Sequence, residues 1–274
     1  ASPTGALAGA DNVVDAAIAR AGMLRVDTLE QLFLAAEILT RYQAPIGDRM
    51  TVLTNGGGVG VLAADAAATE DVPLADLSAP LKRALDQVLP ANWSHGNPVD
   101  IIGDAPAERY VDALKALGQH PADTGTLLFI HAPTAIVPPT DIARAMIPVI
   151  RPAGQQPLPL VSAWVGGPSV AEARRLFVDA GIACYDLPEQ AVMAIGMLQR
   201  YARNRAELSE APPAAQLHNG STPDVARVRA LMQSVLASGR DMLTEPEAKA
   251  VCEAYHIPVV ATRTVPADAD AAAA

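Results

Sequence analysis

Hydrophobic residues along this chain switch repeatedly between helical spacing and short apolar runs. Apolar positions three and four residues apart predict helices at 11–21 and 29–39, and Thr28 with Gln31 predicts a capping box at the start of the second. Further strands are predicted at 50–54, 72–74, 126–130, 158–165 and 182–185, and helices at 59–69, 79–88, 107–117, 141–150, 169–180 and 189–204. Such alternation predicts an α/β fold with a doubly wound parallel sheet that binds ligands at the carboxyl ends of its strands.

The pattern changes beyond residue 205. Residues 206–222 are rich in alanine and proline and lack periodicity, which predicts a linker. A helix at 222–237, a second helix opened by a capping box of Thr244 and Glu247, and a strand at 257–264 are predicted to follow. Two helices and one strand cannot bury a core alone, so we expect this end to be the beginning of a further domain.

A glycine-rich turn between the strand at 50–54 and the following helix is the most informative stretch of the sequence. Glycines allow close approach of the backbone to a ligand, and the unpaired amides of a helix amino end attract anions. No lysine follows, so the turn is not a nucleotide-cradling loop that ends in Gly-Lys-Ser/Thr. We expect phosphate contacts from Asn55, Gly56, Gly57, Gly58 and Gly60.

Two other interpretations of this turn stay open. It could serve only as a tight crossover from strand to helix. Residues 58–63 also match the dinucleotide pattern G-x-G-x-x-A, with Asp76 at about the distance of a ribose contact. The segment that would present Asp76 is short and contains Pro73, which weakens the second interpretation.

Three residues elsewhere are candidates for the same cleft. Asn97 and Asp100 lie in the segment Gly-Asn-Pro-Val-Asp, and His131 follows the predicted strand at 126–130. Structural alternatives stay open: the segment 96–100 can be a turn in which Asn97 bonds its own backbone, and His131 can be a neutral histidine at the margin of the core.

Composition and charge narrow the classes of ligand and partner. The 274 residues carry a net charge of −10 and their basic residues do not cluster, so we expect no nucleic-acid partner. Two distant cysteines and five scattered histidines predict neither a metal site nor a disulfide framework. Neither an apolar stretch of membrane length nor a leader pattern is present, so we expect no membrane association and a cytoplasmic location.

Five motifs in one order identify a family resemblance. They are Ser-Pro-Thr-Gly-Ala-Leu-Ala-Gly at 2–9, Thr-Asn-Gly-Gly-Gly-Val-Gly at 54–60, Gly-Asn-Pro-Val-Asp at 96–100, Ala-Glu-Ala-Arg-Arg-Leu-Phe at 171–177 and Leu-Thr-Glu-Pro-Glu-Ala-Lys at 243–249. Together they resemble the NDP-forming acyl-CoA synthetases, relatives of succinyl-CoA synthetase, over nearly the whole chain.

The resemblance implies a domain plan. Residues 1–40 would be the tail of a first flavodoxin-like CoA-ligase domain, 41–205 a second such domain, 206–222 a linker and 223–274 the start of an ATP-grasp domain. A CoA-binding domain would precede the chain. The full-length protein would use CoA, ATP or ADP, and Mg²⁺, with acyl-CoA and phosphate as ligands and the neighbouring domains as partners. This segment would hold no cofactor and have no ligase activity by itself; oligomer formation is left open.

The resemblance also directs attention to Pro3. The family transfers phosphate through a histidine in a Ser-His-Thr-Gly motif, and Pro3 occupies the matching position, so no catalytic residue is assigned to this chain. Proline has no ionisable nitrogen that could accept a phosphoryl group. This substitution favours a non-catalytic, regulatory module of a fused protein acetyltransferase. An active synthetase that works through a phosphohistidine is the second hypothesis, and a nicotinamide-dinucleotide-binding domain is the third.

Overall fold

A computed structural model describes residues 11–42, 46–209 and 222–261 of the chain. The chain divides into two compact units, Ala1–Glu210 and Ala211–Ala274. The predicted strands and helices are confirmed for most of the first unit. Pro3, which the family resemblance aligns with the phosphohistidine, lies outside the described residues.

The first unit is built on a five-stranded sheet in which every neighbouring pair is parallel, in the order β2-β1-β3-β4-β5. Its strands are β1 (Met50–Thr54), β2 (Val99–Asp100), β3 (Thr126–His131), β4 (Leu160–Trp164) and β5 (Ala183–Tyr185). All residues of the three central strands are buried, which explains why these strands have nearly continuous apolar sequences rather than alternating ones. This strand order is that of flavodoxin-like folds and confirms the predicted fold class.

Helices cover both faces of the sheet. One face carries α2 (Leu29–Arg41), α3 (Gly57–Thr69) and α9 (Pro188–Ser209), with α1 (Asp11–Arg20) packed on α9. The other face carries α4 (Ala79–Asp86), α5 (Ala107–Gly118), α7 (Pro139–Ile150) and α8 (Ala171–Asp179), while α6 (Pro121–Thr124) is a single turn before β3. Successive strand residues point to opposite cores, as Leu128 and Phe129 of β3 show.

The predicted capping box at the start of α2 is present in a modified form. The Thr28 hydroxyl accepts a hydrogen bond from the Gln31 amide at 3.1 Å, but the Gln31 side chain accepts from the Asp27 amide at 2.7 Å rather than from the amide of Thr28. Both exposed donors are still satisfied, so the helix begins where the sequence predicts.

The prediction of a strand at 72–74 is wrong, and β2 was missed. Residue Leu74 forms only a single bridge to Met50, because Pro73 has no amide hydrogen to donate. The side chain of Asn97 accepts from the Val52 amide at 2.9 Å and so occupies the edge of β1 where a strand would continue. Strand β2 has two residues, which is too short for a periodic pattern.

The second unit contains two described helices, α10 (Val225–Ala237) and α11 (Glu245–Ala254). The predicted capping box of Thr244 and Glu247 is confirmed at the start of α11. The strand predicted at 257–264 is absent from 257–261, where the described part of this unit offers no strand to pair with, and 262–264 lie outside the described residues. Helix α9 reaches Ser209, so the predicted linker at 206–222 begins with helical residues.

None of the described helices combines the length and the apolar character that a membrane span requires.

Candidate anion site at the carboxyl edge of the sheet

The amino end of α3 follows the carboxyl end of β1 and has no side-chain cap. Gly56 is the N-cap residue and has no side chain, whereas α2 and α4 are capped by Thr28 and Ser78. The first hydrogen bond of α3 runs from the Gly60 amide to the Gly56 carbonyl at 3.2 Å. The preceding amides, those of Gly57, Gly58 and Val59, therefore have no acceptor within the helix.

The five residues predicted to contact phosphate have different hydrogen-bond partners. The Gly56 amide donates to the Thr54 hydroxyl at 3.1 Å, and the Gly60 amide is a helical donor. The Asn55 side chain, in a residue that is 2% exposed, bonds to the backbone of Ala132. Only Gly57 and Gly58 of the predicted set present free helical amides. The Val59 amide completes the first turn and was missed because the prediction followed the glycines of the motif, whereas a free amide depends on the position in the first turn of the helix.

The glycines of the turn also differ in the space around them. A Cβ atom on Gly56 would lie 3.3 Å from Ala132 Cβ, and one on Gly60 would lie 3.2 Å from Thr54 Cγ2. Because Gly56 and Gly60 lack a Cβ atom, the turn can pack closely against Ala132 and Thr54. Gly57 and Gly58 are exposed, and a Cβ on Gly58 would have no neighbour within 4 Å. The solvent side of the first turn is thus open to a ligand.

The structure brings Asp100 to this turn, as the sequence predicts. Its Oδ1 accepts from the Ile102 amide at 2.9 Å, and its Oδ2 would lie 3.1 Å from a Cβ atom on Gly57. A carboxylate at this position interacts favourably with the positive end of the α3 dipole and repels a second anion. Asp100 therefore limits the side from which phosphate can approach.

Asn97 does not face the cleft. Its amide group makes three hydrogen bonds, accepting from the Val52 amide at 2.9 Å and donating to the carbonyls of Met50 at 2.9 Å and Ala75 at 3.0 Å. These partners include the first and middle residues of β1, away from the carboxyl edge. The prediction of a cleft role for Asn97 is corrected to a structural role, because all of its amide's principal bonding groups are used within the edge of the sheet.

His131 ends β3 at the carboxyl edge, but its ring belongs to the core. The residue is 0% exposed, its ring centroid lies 4.9 Å from that of Trp164, and its Nδ1 lies 3.5 Å from the Tyr110 hydroxyl. Its Nε2 is buried and has no hydrogen-bond partner among the described residues. Burial lowers the pKa of His131 to about 4. The histidine is therefore neutral at pH 7 and does not reach the open first turn of α3.

Asp76 lies on the opposite edge of the sheet. It lines a surface cavity with Arg49 and Gly125, the residues that immediately precede β1 and β3. Asp76 therefore does not share an edge of the sheet with the amino end of α3, and the geometry does not support the dinucleotide interpretation. Within 11–42, 46–209 and 222–261, no group of three or more histidine, cysteine, aspartate or glutamate side chains could hold a metal ion.

The parallel strand order, with helices on both faces, defines a flavodoxin-like α/β domain. Residues 50–209 match the family model of the Ligase-CoA domain, and residues 1–39 match that of the succinyl-CoA ligase like flavodoxin domain. The chain belongs to the family of NDP-forming acyl-CoA synthetase-like proteins, as the motifs predict.

Similar proteins support this assignment. The alpha subunit of acetate–CoA ligase [ADP-forming] I from Pyrococcus furiosus is 35% identical over 210 residues, which are 77% of this chain and 45% of the relative. Acetate–CoA ligase [ADP-forming] I from Archaeoglobus fulgidus is 36% identical over 75% of this chain and 28% of the relative. The chain thus spans less than half the length of these relatives.

A solved structure shares the fold. The dinucleotide-forming acetyl-coenzyme A synthetase 1 of Ca. Korarchaeum cryptofilum, in complex with phosphate and ADP, aligns with a TM-score of 0.68 and 33% identity over 75% of this chain and 44% of that one. The two relatives and the solved structure are thus all described as CoA ligases or synthetases.

Proposed function

We propose that this chain is the phosphate-handling and acyl-CoA-handling module of an ADP-forming acyl-CoA synthetase-like protein. The observation that supports this most strongly is the set of three free amides on Gly57, Gly58 and Val59 at an uncapped helix end. Such amides bind phosphate oxygens directly and add the favourable field of the helix dipole. The relative of known structure that was solved with phosphate and ADP is consistent with this role.

Phosphate would be bound here by backbone amides rather than by the nearby side chain of Arg109. Arg109 of α5 donates to the Ile101 carbonyl at 2.9 Å and to Asp104 at 2.6 Å, so its guanidinium is already engaged near the loop that follows β2. CoA, ATP or ADP, and Mg²⁺ are implied for the full-length protein. The described residues offer no cluster for the metal, and we propose that neighbouring CoA-binding and ATP-grasp domains hold CoA and the nucleotide.

Substituting Gly57 tests the anion site. The Gly57→Val side chain would crowd Asp100 Oδ2 and cover the first turn of α3, so we expect phosphate affinity to fall by about tenfold or more, a loss of about 1.4 kcal/mol or more in binding free energy. Ala68→Val is the matched control, since it places the same β-branched side chain at an exposed position in the last turn of α3, away from the free amides, and should preserve binding. Titration calorimetry with inorganic phosphate measures both variants, and unchanged affinity in a folded Gly57→Val protein contradicts the proposal.

A second candidate function rests on Pro3. We propose that a protein with proline at the phosphohistidine position is a regulatory, non-catalytic module that binds acyl-CoA and serves a fused protein acetyltransferase. Proline cannot carry a phosphoryl group, and the adjacent Ser2 and Thr4 are ordinary hydroxyls without an evident activating base in the sequence.

Phosphorylation of the full-length gene product separates the two functions. With Pro3 in place, incubation with acetyl-CoA and phosphate, or with ATP, is expected to give no acid-labile phosphate at this position. The Pro3→His variant is expected to gain it, because the substitution restores the family's Ser-His-Thr-Gly motif at 2–5 and supplies a nitrogen nucleophile. Ready labelling of the parent protein there, or formation of ATP from acetyl-CoA, ADP and phosphate, establishes the synthetase function instead.

A further inference from the structure

We infer that Asn55 is a positioning residue that orients the free amides of α3 by binding Ala132, rather than a residue that contacts phosphate through its side chain. This inference rests on the proposed function of the α3 amino end. Asn55 thus positions the helix end, a role that the motif Thr-Asn-Gly-Gly-Gly alone does not indicate.

The two hydrogen bonds of Asn55 form a closed pair. Its Nδ2 donates to the Ala132 carbonyl at 2.8 Å, and its Oδ1 accepts from the Ala132 amide at 2.9 Å. The backbone register of β1 with β3 ends at the pairing of Thr54 with Ile130. The Asn55 side chain thus extends the connection between the two strands beyond the last backbone pair, with one donated and one accepted hydrogen bond to Ala132.

Two further contacts fix the residue that follows. Gly56 approaches Ala132 closely enough that a Cβ atom would lie 3.3 Å from Ala132 Cβ, and its amide donates to the Thr54 hydroxyl. The segment that enters α3 is therefore held on both sides. Since Gly57 is the next residue, any shift of this segment changes the direction in which the first-turn amides point.

The same pair of hydrogen bonds prevents the Asn55 side chain from bonding the first-turn amides of α3. Asn55 directly precedes Gly56, the N-cap residue, so its amide oxygen is the side-chain acceptor next in sequence to the first turn of α3. Here the Asn55 oxygen is bonded to the Ala132 amide, and the residue is 2% exposed. The side chain that could satisfy the α3 donors is thereby directed away from them, and these donors are left for an anion.

Asn97 provides a matched control. It is also an asparagine whose amide group is bonded to backbone, and its partners are Met50, Val52 and Ala75 rather than the residues around the turn. Loss of either amide leaves backbone groups without their partners and lowers stability. Only the Asn55 amide connects to the segment that enters α3.

The test compares Asn55→Ala with Asn97→Ala in the 274-residue chain. Both variants are expected to melt at a lower temperature than the parent. Only Asn55→Ala is expected to weaken the affinity for inorganic phosphate, by about tenfold or more, and to reduce the phosphate-induced NMR shifts of the Gly57, Gly58 and Val59 amides. Asn55→Ser, which keeps a hydroxyl but cannot reach both Ala132 groups, gives the same comparison if Asn55→Ala does not fold.

The outcomes are distinct. Phosphate affinity in the folded Asn55 variants equal to that of the parent overturns the positioning role while leaving the proposed function intact. An equal loss of affinity in Asn97→Ala also overturns it, because the effect then follows from general destabilisation. If the parent itself shows no phosphate-dependent shift at the three amides, the proposed function fails together with this inference.

Discussion

Acidification from pH 7 to below pH 4 is expected to remove up to about 3 kcal/mol of folding free energy through His131 alone. Its ordinary pKa is 6.5, and burial lowers the pKa to about 4 in the folded protein. Between these values the unfolded chain binds a proton that the folded protein does not. Stability therefore falls as the pH decreases through this window and rises again as the pH increases.

The His131→Leu variant isolates this contribution. Leucine fills similar space, cannot be protonated and removes the buried Nε2 that has no partner among the described residues. Urea unfolding at a series of pH values, followed by tryptophan fluorescence, to which Trp164 beside the imidazole contributes, measures the free energy of unfolding in both proteins. Carboxyl groups titrate in both, so their contribution cancels in the difference. Identical pH dependence of parent and variant contradicts the assignment.

Gly125→Ala is expected to destabilise the protein by about 3 kcal/mol or more. Gly125 has φ of +62° before β3, and a Cβ atom there would lie 2.4 Å from the Arg49 carbonyl oxygen. That oxygen accepts the Thr126 amide at 2.9 Å, so the added methyl group forces apart the starts of β1 and β3.

Gly154→Ala separates the clash from the backbone strain. Gly154 also has a positive φ, +72°, but a Cβ atom there meets no neighbour within 4 Å. Its substitution should cost only the left-handed conformation, about 1 kcal/mol. Denaturant midpoints with unchanged m-values measure both effects, and equal losses in the two variants show that the contact with Arg49 has no energetic consequence.

Periodicity along the chain was sufficient to predict the main architecture. The buried strands β1, β3 and β4 have apolar runs, and the helices between them have apolar stripes, because each element buries most of its surface or one face. The glycine turn and Asp100 were also predicted to share one edge, since carboxyl ends of parallel strands meet there. These features follow from local sequence patterns, because element type depends on the spacing of apolar residues and the shared edge depends on the short connections between strands and helices.

Tertiary structure alone decided the roles of the polar candidates. Asn55 and Asn97 have the same side chain and each lies next to a glycine, yet one bonds Ala132 beside the turn and the other bonds the edge of β1. His131 lies at the predicted edge with its ring in the core, and Asp76 lies at the opposite edge. The sequence specified residue type and element. The partner of a buried polar group depends on which distant backbone atom comes within about 3 Å, and only the packing of the sheet and its helices sets that distance.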